Sequence, residues 1–151
     1  MKDEKNIFVS HYHEDAKRIE DLKLLLEKHQ MLMKDSSIYE DKSPNKANNE
    51  DYIKSIIRPR IEWAGTVVVL VGKETSKSEY VNWEIEYAAK KGKRIIGVYL
   101  SGEAESDVPE ALIKYGNALR RWNGESIISA IKGDDTWDGV ERKWATDRVT
   151  C

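Results

Sequence analysis

The run Thr66–Val71 restricts the fold of this chain more than any other segment. Its sequence, TVVVLV, is β-branched or aliphatic at every position and shows no alternation with polar residues. A strand with one face in water alternates, whereas a strand covered by helices on both faces does not. The run therefore predicts the central strand of a parallel sheet.

Strand and helix patterns alternate along the rest of the chain. Short apolar runs predict further strands at residues 6–10, 94–100 and 118–122, with a shorter strand near 37–39. Helical spacing of apolar residues predicts helices at residues 14–29, 51–63, 78–91, 109–114 and 126–132. Parallel strands are joined by right-handed helical crossovers. We therefore expect an α/β, flavodoxin-like fold with about five parallel strands and helices on both faces of the sheet.

The length of 151 residues suits one domain. We place this domain at residues 1–132. Residues 133–151 are polar but contain Trp137 and Trp144, so we regard them as a tail that packs on the same domain or lies at its periphery. The chain has no apolar run near the roughly 20 residues of a membrane span and no secretory signal. We expect a cytoplasmic protein without a membrane segment.

Charge and cysteine content argue against several kinds of function. The formal net charge is −2, and acidic and basic residues are interleaved, so nucleic-acid binding is not expected. Cys151 is the only cysteine, which leaves no internal disulfide and no cysteine metal site. Besides His11 and His13 the chain has only His29, too few histidines for a convincing zinc site. We therefore expect no metal ion.

One acidic residue stands where an apolar residue is expected. On a helical wheel, Glu84 falls within the arc of Val81, Ile85 and Ala88, whereas Glu86 falls on the polar side. Burying a carboxylate costs several kcal/mol unless it is paired. Glu84 is therefore either a rim residue that binds a loop amide or a distant arginine, or a catalytic carboxylate.

Three segments resemble one known family. They are residues 8–12 (FVSHY), 64–72 (AGTVVVLVG) and 80–86 (YVNWEIE). They resemble the TIR-like domains of bacterial antiphage defence, as in the B protein of Thoeris systems, and the resemblance extends over residues 5–132. The last segment is the most specific, because an aromatic residue followed four positions later by Glu and then Ile is typical of the TIR catalytic helix. The aromatic residue is most often Trp in the family, whereas this chain has Tyr80.

The resemblance implies an NAD-consuming enzyme, an NAD nucleosidase or ADP-ribosyl cyclase of the TIR fold, with Glu84 as its catalytic residue. NAD is then a substrate, and no cofactor is expected. The implied product is a cyclic ADP-ribose-type signal that activates a separate effector protein in antiviral defence. One carboxylate suits this hydrolase chemistry, because nicotinamide leaves a cationic pyridinium as a neutral molecule and needs no general acid.

The resemblance also places the substrate pocket. The residues expected to contact NAD come from the first strand and its loop, from the polar segment 34–50 and from the helix of Glu84: Phe8, Ser10, His11, Tyr12, Asp15, Asp35, Ser36, Tyr80 and Trp83. Several of them suit other roles. Ser10 and Asp15 are also helix-capping residues. Asp35 and Ser36 are also turn formers, and Trp83 also suits packing.

Two functions from other classes compete with an enzyme. Many TIR domains assemble with other TIR domains without catalysis, and the polar segment 34–50 is long enough to meet a second copy of the chain. A homo-oligomer through this segment is an expectation, but an assembly module has no use for Glu84 in an apolar arc. A nucleotide or flavin binder of flavodoxin-like fold needs a phosphate loop after its first strand, and the sequence lacks one.

Overall fold

The central sheet has five parallel strands, in a computed structural model that describes residues 3–35, 50–101 and 107–138. The strands are β1 (Asp3–Ser10), β2 (Met31–Asp35), β3 (Thr66–Val71), β4 (Arg94–Tyr99) and β5 (Ala118–Arg120). Their order is β2-β1-β3-β4-β5, and each neighbouring pair is parallel. This is the flavodoxin-like order, and it confirms the predicted fold class.

Helices cover both faces of this sheet. Within the described ranges they are α1 (Arg18–Lys28), α2 (Glu50–Trp63), α3 (Glu79–Lys90), α4 (Glu110–Tyr115) and α5 (Gly124–Ile131). The buried side chains of α1 and α5 form one hydrophobic cluster, and those of α2, α3 and α4 form the other. None of the helices in this part of the chain is long and apolar enough to cross a bilayer.

Strand β3 lies at the centre, as its sequence predicts. It pairs with β1 on one side and with β4 on the other, and all six of its residues are buried. Val67 and Val69 belong to the cluster under α2, α3 and α4, whereas Val68 and Leu70 belong to the cluster under α1 and α5. Successive side chains of a strand point to opposite faces, so both sets must be apolar.

The second strand differs from the prediction. It is formed by Met31–Asp35, whereas residues 37–39 lie outside the described part of the chain. Met31 and Met33 face the core, but the apolar run is only three residues long. So short a run cannot be distinguished from the end of the preceding helix by its period.

Helix α1 also begins later than predicted, at Arg18 instead of residue 14. His13–Asp15 form a separate 3-10 turn, in which Asp15 N donates to Tyr12 O at 2.8 Å. Residues 11–17 therefore form a connection at the carboxyl edge of the sheet, and α1 starts only after it.

Helix α3 is bounded by two capping residues. The Ser78 side chain accepts a hydrogen bond from Val81 N at 3.2 Å, which satisfies one of the unpaired donors of the first turn. Gly92 follows the helix with a φ of 72°, a left-handed conformation that glycine adopts without strain. These caps fix where the helix that carries Glu84 begins and ends.

The described part of the tail lies along β5. Trp137 forms a bridge with Leu119, and its ring nitrogen Nε1 donates to Asn117 O at 2.9 Å. Asp138 N donates to Leu119 O at 2.8 Å. Trp144 lies outside the described residues.

A buried arginine joins this tail to α5. Arg120 has 5% of its surface exposed, and its guanidinium donates to Ser126 O, Thr136 O and Asp134 O at 2.9, 3.0 and 3.1 Å. Buried charged groups are tolerated when such bonds replace the lost water. No local sequence pattern indicates that Arg120 is buried.

Candidate active site

A serine and a glutamate meet at the carboxyl edge of the sheet. Ser10 is the last residue of β1, and Glu84 lies in the second turn of α3. The Ser10 hydroxyl donates to Glu84 Oε1 at 2.6 Å, and both residues are 0% exposed. This length is that of a strong hydrogen bond from a hydroxyl to a carboxylate.

The pairing follows from the phases of two elements. In β1, Phe8 and Ser10 point to the same face of the sheet, and Phe8 belongs to the hydrophobic cluster under α3. On α3, the buried residues are Val81, Glu84, Ile85 and Ala88. Glu84 therefore lies in the apolar arc that the helical wheel predicts, and Ser10 faces it across the interface.

Burial of the Glu84 carboxylate costs free energy. Moving a carboxylate out of water carries a penalty of several kcal/mol, and the Ser10 hydroxyl offsets part of it. By contrast, Glu86 is exposed, as the wheel predicts. Glu84 is thus the acidic residue of α3 whose burial costs free energy. Functional carboxylates are commonly found in such environments.

Tyr80 lies one turn before Glu84 and is half-buried. Its burial, followed by the negative charges of Glu50 and Glu84, raises the pKa of the Tyr80 phenol. A tyrosine hydroxyl is already protonated at neutral pH, and the raised pKa extends the range of pH in which it is a hydrogen-bond donor. Tyr80 therefore adds a neutral donor group near the buried carboxylate.

Trp83 packs between α3 and α2. Its ring stacks on Tyr87 with 5.6 Å between the ring centroids, and Lys54 Nζ lies 5.1 Å from the ring centroid. Arg58 lies over the same ring at 5.7 Å. These are packing contacts, and a role of Trp83 in substrate binding stays a prediction.

The loop after β1 borders an open cleft of about 220 Å³. Tyr12 and Asp15 line it together with Gly72, which follows β3, and Leu100, which follows β4. Lys17, and not Asp15, is the N-cap residue of α1. Ser10 and Glu84 are not among the described residues that line the cleft, so the predicted pocket residues divide into two neighbouring groups.

His11 lies between Ser10 and Tyr12 in the chain and is 3% exposed. Its Nδ1 atom is 3.1 Å from Val9 O, so a proton on Nδ1 is donated to that carbonyl. His13 is exposed, and its ring lies 4.4 Å from the Tyr12 ring. The described residues contain no group of three or more side chains able to hold a metal ion.

Asp35 is placed further down the sheet. It pairs in register with Ile7, three residues before Ser10, and its nearly buried carboxylate lies 3.7 Å from Lys23 Nζ of α1. This register does not bring Asp35 level with the Ser10–Glu84 pair. Ser36 lies outside the described residues.

Asn82 lies on the polar side of α3 with Glu86, but its side chain is half-buried and hydrogen-bonded. Asn82 Nδ2 donates to Ser78 O at 3.0 Å, and its Oδ1 accepts from Ala111 N at 3.1 Å. The side chain thus joins the starts of α3 and α4. Helical phase alone could not reveal this role, because the partner Ala111 lies 29 positions away.

The cleft residues Gly72 and Lys73 were not named as site residues, but they belong to the segment after Val71, which the strand pattern places at the ligand-binding edge of the sheet. They follow β3 directly, and they line the cleft beside residues that follow β1. Ligands of open parallel sheets bind where neighbouring strands send their connections to opposite faces. This rule points to the segment after Val71 from the sequence, and the structure shows which of its residues line the cleft.

Comparison with known proteins adds a family and two similar structures. The family described as Thoeris protein ThsB, TIR-like domain, matches residues 8–105. The CMP N-glycosidase BcmB from Clostridium botulinum is 20% identical with a TM-score of 0.49, over 85% of this chain and 98% of that chain. A conserved protein from Enterococcus faecalis V583 is 13% identical with a TM-score of 0.48, over 90% of this chain and 91% of that chain. No curated protein matches the sequence.

Proposed function

The chain belongs to the family of ThsB TIR-like domains, and from this premise we propose that it cleaves the N-glycosidic bond between nicotinamide and ribose in NAD. The observation that carries the proposal is the buried Ser10–Glu84 pair at the carboxyl edge of the sheet. A carboxylate kept out of water at this edge stands where ligands of such sheets bind.

The proposed reaction breaks one bond and needs one carboxylate. The bond between ribose C1′ and the nicotinamide ring nitrogen breaks, and its electron pair leaves with the nitrogen, so that the cationic ring departs as neutral nicotinamide. Positive charge then develops on the ribose. The Glu84 carboxylate stabilises this charge, an effect that is strong where water is excluded.

Ser10 acts in this proposal as a positioning residue. Its hydroxyl holds Oε1 of Glu84 at 2.6 Å and so limits the orientations of the carboxylate. Tyr80, protonated and half-buried near Glu84, supplies a donor for an oxygen of the substrate. A carboxylate held in advance costs no reorganisation when the reaction occurs.

The acceptor of the ribosyl group decides the product. Attack by water on C1′ yields ADP-ribose and a proton, whereas attack by an adenine nitrogen of the same molecule closes a cyclic ADP-ribose. The product depends on which nucleophile the site holds closer to ribose C1′, water or the adenine nitrogen. We propose the cyclic product, acting as a signal for a separate effector protein in antiphage defence.

Nicotinamide release from NAD tests the proposal. We expect the wild type to release nicotinamide and Glu84→Gln to lower the rate by about a hundredfold or more, because the amide keeps the shape of the side chain but lacks its charge. Glu86→Gln is the matched control, since this exposed residue of the same helix should not affect the rate. Chromatography separates linear from cyclic product.

Two results would overturn the proposal. One is equal nicotinamide release by the wild type and by Glu84→Gln, with both proteins shown to be folded by thermal melting. The other is a folded wild type that leaves NAD intact over a wide range of protein concentration, which would favour the non-catalytic assembly module.

A further inference from the structure

The open cleft is separate from the Ser10–Glu84 pair and lies at a distinctive place in the sheet. Strand β1 connects through α1 to β2 on one side, and its neighbour β3 connects through α3 to β4 on the other side. The cleft is lined by the residues that follow these two strands, among them Tyr12 and Gly72. This is the position where doubly wound sheets bind ligands.

The charges of the cleft indicate what kind of group it takes. Its described lining includes three carboxylates, of Glu14, Asp15 and Glu74, and two cations, of Arg18 and Lys73, which leaves an excess of one negative charge. The cation of Arg18 is already engaged, because its Nε donates to an aspartate of α1 at 2.9 Å and its guanidinium lies over a tryptophan ring at 4.9 Å. A phosphate is disfavoured there, and a neutral group with several hydroxyl donors is favoured.

Among the three carboxylates, that of Asp15 packs against the segment that follows β3. It presses against the backbone of Gly72, because a Cβ atom at Gly72 would lie only 2.6 Å from Asp15 Oδ2. The absence of a side chain at Gly72 thus allows the carboxylate to take its position. An aspartate or glutamate that accepts hydrogen bonds from ribose hydroxyls is a common device of nucleotide-binding α/β folds.

The cleft is close enough to Glu84 to share one ligand with it. Ser10 binds Glu84, and Tyr12 lines the cleft. These two residues are separated by only one residue in the chain, so their Cα atoms are at most about 7 Å apart. The volume of about 220 Å³ is below the roughly 300–1,000 Å³ of a pocket for a whole ligand. It suits one sugar and not a dinucleotide.

We propose that this cleft binds the ribose of the adenosine half of NAD, with the Asp15 carboxylate accepting hydrogen bonds from its 2′ and 3′ hydroxyls. The inference rests on the proposed function, since the sugar at the scissile bond is then the other ribose, beside Glu84. The Tyr12 ring and Leu100 provide the apolar surface against which the sugar packs.

Binding of adenosine monophosphate tests the cleft without any catalysis. By calorimetry, the wild type should bind this nucleotide, and Asp15→Asn should weaken binding by about tenfold. Gly72→Ala should weaken it similarly, because the new methyl group displaces the Asp15 carboxylate. Gly65→Ala is the matched control, since a Cβ atom there meets nothing within 4 Å.

Kinetics then distinguish the two riboses. Asp15→Asn should raise KM for NAD by about tenfold with little change in kcat, while KM for nicotinamide mononucleotide, which lacks the adenosine half, should not change. A rise for both substrates would overturn the assignment, because the cleft would then hold the nicotinamide ribose.

The remaining outcomes separate this inference from the proposed function. Failure of the folded wild type to bind adenosine monophosphate, or equal binding by Asp15→Asn, would overturn the assignment of the cleft even if NAD is cleaved. Nucleotide binding that depends on Asp15 in a protein that leaves NAD intact would support the cleft and refute the proposed function.

Discussion

The strength of the Ser10–Glu84 hydrogen bond can be measured with a double-mutant cycle of Ser10→Ala and Glu84→Gln. Both residues are 0% exposed, and the bond is 2.6 Å long. A hydrogen bond to a charged group contributes about 1.5–3 kcal/mol, and one between neutral groups about 0.5–1.5 kcal/mol. Ser10→Ala should therefore cost about 1.5–3 kcal/mol in the wild type, but only about 0.5–1.5 kcal/mol when residue 84 is glutamine. The expected coupling energy is about 1 kcal/mol.

Urea unfolding at neutral pH measures all four free energies, with the m-values checked for constancy. Each kcal/mol should also appear as a change of about 2–4 °C in the melting temperature of a domain of this size. Glu84→Gln alone should leave stability unchanged or raise it, because the buried charge and its desolvation cost are removed. Additive effects of the two substitutions would refute the reasoning, since they would mean that the serine does not donate to a buried carboxylate.

Three further predictions concern the rest of the fold. Arg120→Met should lower the free energy of unfolding by at least about 2 kcal/mol, because three backbone carbonyls lose a charged donor; an unchanged urea midpoint would contradict this. Hydrogen bonds from Thr136, its side chain first, lower the pKa of Asp134 below 3.8, so this carboxylate stabilises the fold above about pH 4 and loses its effect as the pH falls further. Asp134→Asn should therefore flatten the dependence of the melting temperature on pH in acid, and an unaltered acid slope would count against this assignment. Gly97→Ala should lower the free energy of unfolding in urea by about 1–3 kcal/mol, because its Cβ atom would lie 2.5 Å from Leu112 Cδ2. A variant as stable as the wild type would show that the neighbouring side chains move to make room for the methyl group.

The pattern of apolar residues in the sequence was sufficient to identify β3 and to set the phase of α3. The six residues of β3 show no alternation, and each is buried, because helices cover both faces of the sheet. The phase of α3 was predictable for a different reason: its apolar residues face the core while Glu79, Glu86 and Lys90 face solvent. Glu84 could therefore be placed in the apolar arc before any partner was known. Segment similarity also identified the family, which the match over residues 8–105 confirms.

Only the tertiary structure shows which residue contacts a given buried residue. Ser10 and Glu84 are 74 positions apart, and their contact depends on the register of β1 beside β3 and on the packing of α3 across both. The same holds for the cleft between Asp15 and Gly72 and for the bonds that bury Arg120. A local pattern reports which face of an element avoids water, whereas the partner on that face depends on how distant elements pack together.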